Sequence, residues 1–294
     1  MEHISMRLPG NLEELVECLE EADENTGLIS GGTDFVIQLR QRKLYSGTII
    51  DLSRVEELRF IKEDGNNLRI GAATTLTEVS ENELIKKYVP ALAQAAGQVG
   101  STQIRNRGTI AGNIGNASPC ADTVPPLMAF DALLKVINGK GKIVEKTLDE
   151  VVFGSGRNNL KSDEVIIEIV IPKLNDNYIS AFEKLGSRKA VTISKINGAV
   201  VVKYNSDKNI IEDARVFLGA LGPKAFRSQC GEKALIDRAP TQAVLNDFCH
   251  ALINQVDTAI GGRSSQAYKR EAIKGIAHDI FNKLFESVVP GGDS

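Results

Sequence analysis

This chain has few of the residues that build a metal centre. It has four cysteines, Cys18, Cys120, Cys230 and Cys249, and three histidines, His3, His250 and His278. No two cysteines stand at zinc or iron–sulfur spacing, and no histidine lies beside a second ligand in a known pattern. Redox chemistry here would therefore not run on a metal held by this chain. Scattered cysteines of this kind read as free and buried. Long apolar runs are missing too. None reaches the roughly 20 residues that span a bilayer. The N-terminus is acidic and has no apolar leader, so a cytoplasmic protein without membrane contact is expected. There is no excess of positive charge, the formal net charge being −3, which argues against a general nucleic-acid binder. Two common nucleotide loops are also absent, GxxxxGK[ST] and GxGxxG, so neither a P-loop nor a Rossmann site is expected.

What is present is an ordinary globular composition: 294 residues, 42% apolar and 25% charged, enough for one large domain or two modest ones. Residues 11–23 repeat Leu12, Leu15, Val16 and Leu19 at helical spacing, and Asn11 with Glu14 resembles a capping box. A short strand ends at Leu28-Ile29, Gly31-Gly32 breaks it, and a helix starts at Phe35. Residues 47–53 form the next strand, completing a small α/β unit. Asp64-Gly65-Asn66-Asn67 and Asn138-Gly139-Lys140-Gly141 mark hairpins, and 164–172 is a long strand ended by Pro172. Residues 77–98 read as helical, with Pro90 fitting a first turn. A polar, turn-rich stretch at 172–178 suggests a boundary. Antiparallel strands follow, then helices from about 231, the last burying Tyr268, Ile273, Ile276, Ile280, Leu284 and Phe285. The class is α+β, with a C-terminal antiparallel sheet carrying helices on one side. The tail after Val289 is expected to be disordered.

Two segments stand apart, "SGGTD" (30–34) and "GTIAGN" (108–113). Paired glycines let main-chain N–H groups approach an anion with no Cβ in the way, and successive N–H groups form a concave nest for phosphate. Thr33, Ser101 and Thr109 offer hydroxyls and Asn113 an amide. Two neutral nests suit a diphosphate. Tight turns without a ligand are the alternative reading.

The stretches "LISGGTDF" and "GSTQIRNRGTIAGNIGNASPCADTVPPLMAFDA" resemble the flavin-binding subunit of the molybdenum hydroxylases, the group of xanthine, nicotinate and carbon monoxide dehydrogenases. The resemblance covers nearly the whole chain. It implies an FAD-binding domain of the vanillyl-alcohol oxidase type over 1–175, with subdomains 1–55 and 56–175, and a C-terminal flavin-subunit domain over 176–290. It implies FAD held along Leu28, Ile29, Ser30, Gly31, Gly32, Thr33, Asp34 and Phe35. A second wall would comprise Gly100, Ser101, Thr109, Ile110, Ala111, Gly112 and Asn113. Asp122 would accept from a ribityl or adenosine hydroxyl, or else cap the turn before Pro125. Ile166 or Ile167 resembles the aliphatic residue packed on the flavin. Lys184 matches a lysine near the flavin pyrimidine, unless it faces solvent. Arg105 and Arg107 would brace the loop or reach phosphate. Ser30 stands where alanine is common. Ala111 stands where glycine is common, so its φ should be negative.

The resemblance further implies partners: a large molybdopterin-binding subunit and a small 2Fe–2S subunit, with NAD as electron acceptor and a purine such as xanthine as the substrate. A self-sufficient FAD-dependent oxidoreductase is the alternative, and a non-catalytic nucleotide-binding protein a third.

Overall fold

The computed structural model describes residues 4–41, 47–188 and 191–286. The tail expected to be disordered lies outside them. The small α/β unit forms from β1 (Ile4–Arg7), α1 (Leu12–Glu20), β2 (Thr26–Ile29), α2 (Phe35–Arg40) and β3 (Gly47–Asp51). Its strands pair in parallel in the order β1-β3-β2. The side chain of Asn11 caps α1 by accepting from the Glu14 N–H. The Glu14 carboxylate returns one residue further back than in a standard capping box, to the Gly10 N–H at 2.7 Å. Leu15 and Leu19 are fully buried. They share a core with Ile50, Leu52, Val165 and Ile167, which fastens this unit to the next sheet.

That next unit runs through β4 (Ile61–Asp64), β5 (Asn67–Gly71), α3 (Leu76–Glu81), α4 (Glu83–Tyr88), α5 (Pro90–Gly97), α6 (Thr102–Arg105), α7 (Ile110–Gly115) and α8 (Val124–Ala129). It continues through β6 (Leu133–Asn138), β7 (Ile143–Thr147), α9 (Leu148–Val151), β8 (Val152–Gly154), β9 (Arg157–Asn158) and β10 (Glu164–Pro172). Five strands form an antiparallel sheet in the order β4-β5-β10-β6-β7, and both expected hairpins are present. The helical stretch expected over 77–98, with a new helix from Pro90, is three helices. Asn82 is extended, ending α3, and its side chain accepts from the Leu84 and Ile85 N–H groups to start α4. Val89 precedes a proline and leaves the helical region, so α5 starts afresh at Pro90.

The last unit holds β11 (Tyr178–Leu185), β12 (Ile196–Asn205), β13 (Ile210–Gly219) and β14 (Phe226–Arg227). The helices α10 (Gln229–Leu235), α11 (Gln242–Ile260) and α12 (Gln266–Phe285) follow. The strands form one antiparallel sheet in chain order. The first seven residues of β12 are all buried. Its alternation is hidden because both faces are covered. Val200 and Val202 join the core of α11 and α12, while Ala199 and Val201 join the core of the preceding unit. The sheet therefore carries its own helices on one side and docks the preceding unit on the other. Tyr268 corrects the expectation for α12: it is 47% exposed, with the Lys195 ammonium over its ring. The cysteines are free, yet only Cys249 is buried; Cys18, Cys120 and Cys230 are half-buried.

Candidate functional site

The two glycine segments, 77 positions apart at their first glycines, meet face to face. A Cβ built on Gly31 would lie 2.0 Å from the Arg107 carbonyl oxygen and 2.8 Å from Gly108 Cα. Only glycine permits that approach of backbone to backbone. Gly32 adopts a φ of +72°, which turns the chain from β2 into α2. Among the described residues, the N–H groups of Gly31, Gly32, Thr33, Asp34 and Phe35 donate to no protein acceptor. Five consecutive free donors at a left-handed glycine turn make an anion nest.

The nest opens into a cleft of about 430 Å³, within the size range of small-molecule and cofactor sites. Leu28, Ile29, Ser30, Gly31, Gly32, Thr33, Asp34 and Phe35 line one wall. Thr109, Ala111, Gly112 and Asn113 line the second, and Ile166, Val99, Leu58 and Leu76 add apolar lining. Thr109 caps α7, its hydroxyl oxygen accepting from the Gly112 N–H at 3.2 Å, which leaves the hydroxyl proton available. Ala111 sits inside α7 and is not among the left-handed residues, as its Cβ requires.

Other sequence candidates lie elsewhere. Ile110 is fully buried and belongs to the core behind α7. Ile167 points away from Ile166 by strand alternation and packs with Leu15 and Leu19. Gly100, at φ +49°, and Ser101, which caps α6 through the Ile104 N–H, are not among the lining residues. Arg105 braces this loop, donating to the carbonyls of Val99 at 3.2 Å and Gly100 at 3.4 Å. The Arg107 side chain is exposed, and its backbone carbonyl abuts Gly31.

Asp122 and Lys184 are brought together, with each other, outside the cleft lining. Their side chains are each 6% exposed and pair at 2.7 Å. Lys184 Nζ also donates to the carbonyls of Gln98 at 2.7 Å and Thr192 at 3.3 Å, which accounts for all three ammonium protons. Asp122 Oδ1 accepts from Ser194 Oγ at 2.5 Å and Asn197 Nδ2 at 2.8 Å. The pair thus ties the loop after α5 to β11 and β12.

The stretch from Gly156 to Glu164 also lines the cleft, and nothing in the sequence marked it. Lys161 is the one cation among the described lining residues. Glu164 is held by Lys146 Nζ at 2.6 Å and the Lys161 N–H at 3.1 Å. Burial pushes its carboxyl up, but these bonds outweigh burial and hold it below the ordinary carboxylate value. Asn158 Nδ2 donates to the Gly115 carbonyl at 2.7 Å, pinning the stretch to α7. Gln38 and Asn116 bridge α2 and the end of α7 at 3.4 Å. Among the described residues no group of three or more His, Cys, Asp or Glu is placed to hold a metal, and no helix is long and apolar enough to cross a membrane.

A parallel three-stranded unit, a five-stranded antiparallel unit and a glycine-floored cleft between them define a two-part cofactor-binding domain with an appended α+β domain. Comparison with known proteins gives this class its family. Residues 2–174 match the FAD binding domain in molybdopterin dehydrogenase, and residues 180–284 match the CO dehydrogenase flavoprotein C-terminal domain. The chain belongs to the FAD-binding medium subunits of the molybdenum hydroxylases. It is 33% identical over 285 residues to the nicotinate dehydrogenase FAD-subunit of Eubacterium barkeri, covering 96% of this chain and 94% of that one. It is 29% identical to a xanthine dehydrogenase FAD-binding subunit of Escherichia coli, covering 87% of each. A solved carbon monoxide dehydrogenase chain from Hydrogenophaga pseudoflava superposes with a TM-score of 0.87 at 25% identity, covering 97% of this chain and 98% of that one. The chain is accordingly an FAD-binding subunit of an oxidoreductase.

Proposed function

We propose that this chain is the electron-transfer subunit of a molybdenum hydroxylase of the xanthine or purine dehydrogenase type, assembled with a large molybdopterin-binding subunit and a small 2Fe–2S subunit. The observation that carries the reading is the run of free N–H groups from Gly31 to Phe35, set on a floor that a single Cβ would fill. Those donors, with the hydroxyls of Thr33 and Thr109, suit the oxygens of a diphosphate. Lys161 offsets its charge. Leu28 and Ile166 give apolar walls for the ring systems, and the Asp122–Lys184 pair sets the position of the Val99–Gly100 loop. When bound, FAD would supply redox chemistry between the partner's clusters and NAD. The chain's own residues bind, orient and shield.

The experiment uses the chain alone, loaded with FAD, under anaerobic conditions. NADH should bleach the flavin and support reduction of an artificial dye. Xanthine, nicotinate and aldehydes should leave the flavin oxidised until both partner subunits are added. Bleaching by a small organic substrate without partners would overturn this reading in favour of a self-sufficient flavoenzyme.

A further inference from the structure

Thr123 occupies the N-cap position of α8, yet its hydroxyl makes no cap hydrogen bond. A threonine there ordinarily accepts from the N–H of the second or third helical residue. In α8 those residues are Pro125 and Pro126, which have no N–H. The hydroxyl is thus released from capping. It is fully buried and crosses to the neighbouring helix, donating to Asn113 Oδ1 at 2.7 Å.

Asn113 lines the cleft. With its oxygen engaged by Thr123, the planar amide turns its NH2 group away from Thr123. Among the described residues that NH2 group donates to no protein acceptor. We propose that Thr123 is a positioning residue for cofactor binding: it locks the Asn113 amide so that the cleft receives a donor, and the Pro125-Pro126 pair makes this possible by vacating the cap. The complementary chemistry on the cofactor is an oxygen acceptor, as on a phosphate, a ribityl chain or a ring carbonyl. Without the hydroxyl the amide turns freely and offers its own oxygen to that acceptor for part of the time. This inference rests on the reading of the cleft as an FAD site.

The test measures FAD affinity of the apo-chain by fluorescence titration, beside the unfolding midpoint of each apo-variant. Thr123→Val keeps the shape and removes the donor. It should weaken FAD binding roughly five- to tenfold, the scale of one hydrogen bond. Asn113→Ala should weaken it by a similar factor, and the double variant should bind no worse than Asn113→Ala alone. Thr123→Ser should restore wild-type affinity. If Thr123→Val does not fold, Thr123→Ala against Thr123→Ser makes the same comparison. Wild-type affinity in the hydroxyl-free variant would overturn the proposal, as would a loss that multiplies fully with that of Asn113→Ala. Failure of the wild-type chain to bind FAD is a separate result, and it would overturn the reading of the cleft itself.

Discussion

Gly31→Ala puts the closest contact in the cleft under direct stress. The added Cβ would meet the Arg107 carbonyl oxygen at 2.0 Å and its carbon at 2.7 Å, both backbone atoms. No flexible side chain can swing aside. To reach even 3.0 Å, the shortest separation real Cβ atoms show, the two segments must part by about 1 Å. Overpacking of this kind costs about 1–3 kcal/mol. That cost divides between the stability of the apo-chain and its affinity for FAD, since the same shift pulls the N–H run away from the opposite wall. If it falls wholly on binding, affinity should drop roughly five- to 150-fold. The assay pairs denaturant unfolding of the apo-chain with FAD titration, and the two losses should sum to that range. Gly275→Ala is the control. Gly275 is exposed within α12 and an added Cβ meets nothing within 4 Å. It should stabilise the chain by up to about 1 kcal/mol, the helical preference for alanine over glycine. A Gly31→Ala chain with wild-type stability and wild-type FAD affinity would refute the backbone contact between the two segments.

Gly112→Val should release FAD and lower the unfolding midpoint as well. Its Cβ would stand 2.7 Å from Thr109 Oγ1 and disturb a cap of about 1 kcal/mol; full flavin occupancy after purification would count against the second wall. Lys184→Met should cost about 3–5 kcal/mol in chemical unfolding, because it leaves Asp122 buried without its cation. Pairing it with Asp122→Asn should recover much of that loss, and additive losses would contradict the coupling. Glu164 has a lowered pKa in the folded chain. Its contribution is therefore fully present above the unfolded value, about 4.3, and is lost as pH falls through the folded value. Glu164→Gln should flatten the fall in stability below about pH 4.3, and an unchanged acid limb would rule that contribution out.

Gly31-Gly32 was legible because glycine beside glycine signals a backbone that must come close to something, and here Gly31 comes close to Arg107 and Gly108. The long strand β10 and both hairpins were legible for an equally local reason, since β-branched runs and Asn-Gly or Asp-Gly turns act over a few residues. The lining stretch around Lys161 was not legible. It holds no paired glycine and reaches the cleft only because β8 and β9 fold it there. The burial of Lys184 was hidden for a related reason. A lysine in a strand is ordinarily exposed, and its partners Asp122, Gln98 and Thr192 come from distant positions. Tyr268 stands off the stripe of Ile273, Ile276 and Ile280, roughly 140° round the helix from Ile273, so it turns outward and meets Lys195 instead. Pro90 did divide the 77–98 stretch, and Asn82 could have divided it again, since an asparagine is a cap signal in its own right.

The central claim is that the cleft holds a flavin with a diphosphate and an adenosine arm. Flavin released by acid from the purified chain and separated by chromatography tests it most directly. The account expects FAD, close to one per chain, with the Gly31→Ala chain depleted in parallel. Recovery of FMN alone, or of no flavin from a chain that stays folded after incubation with FAD, would contradict it.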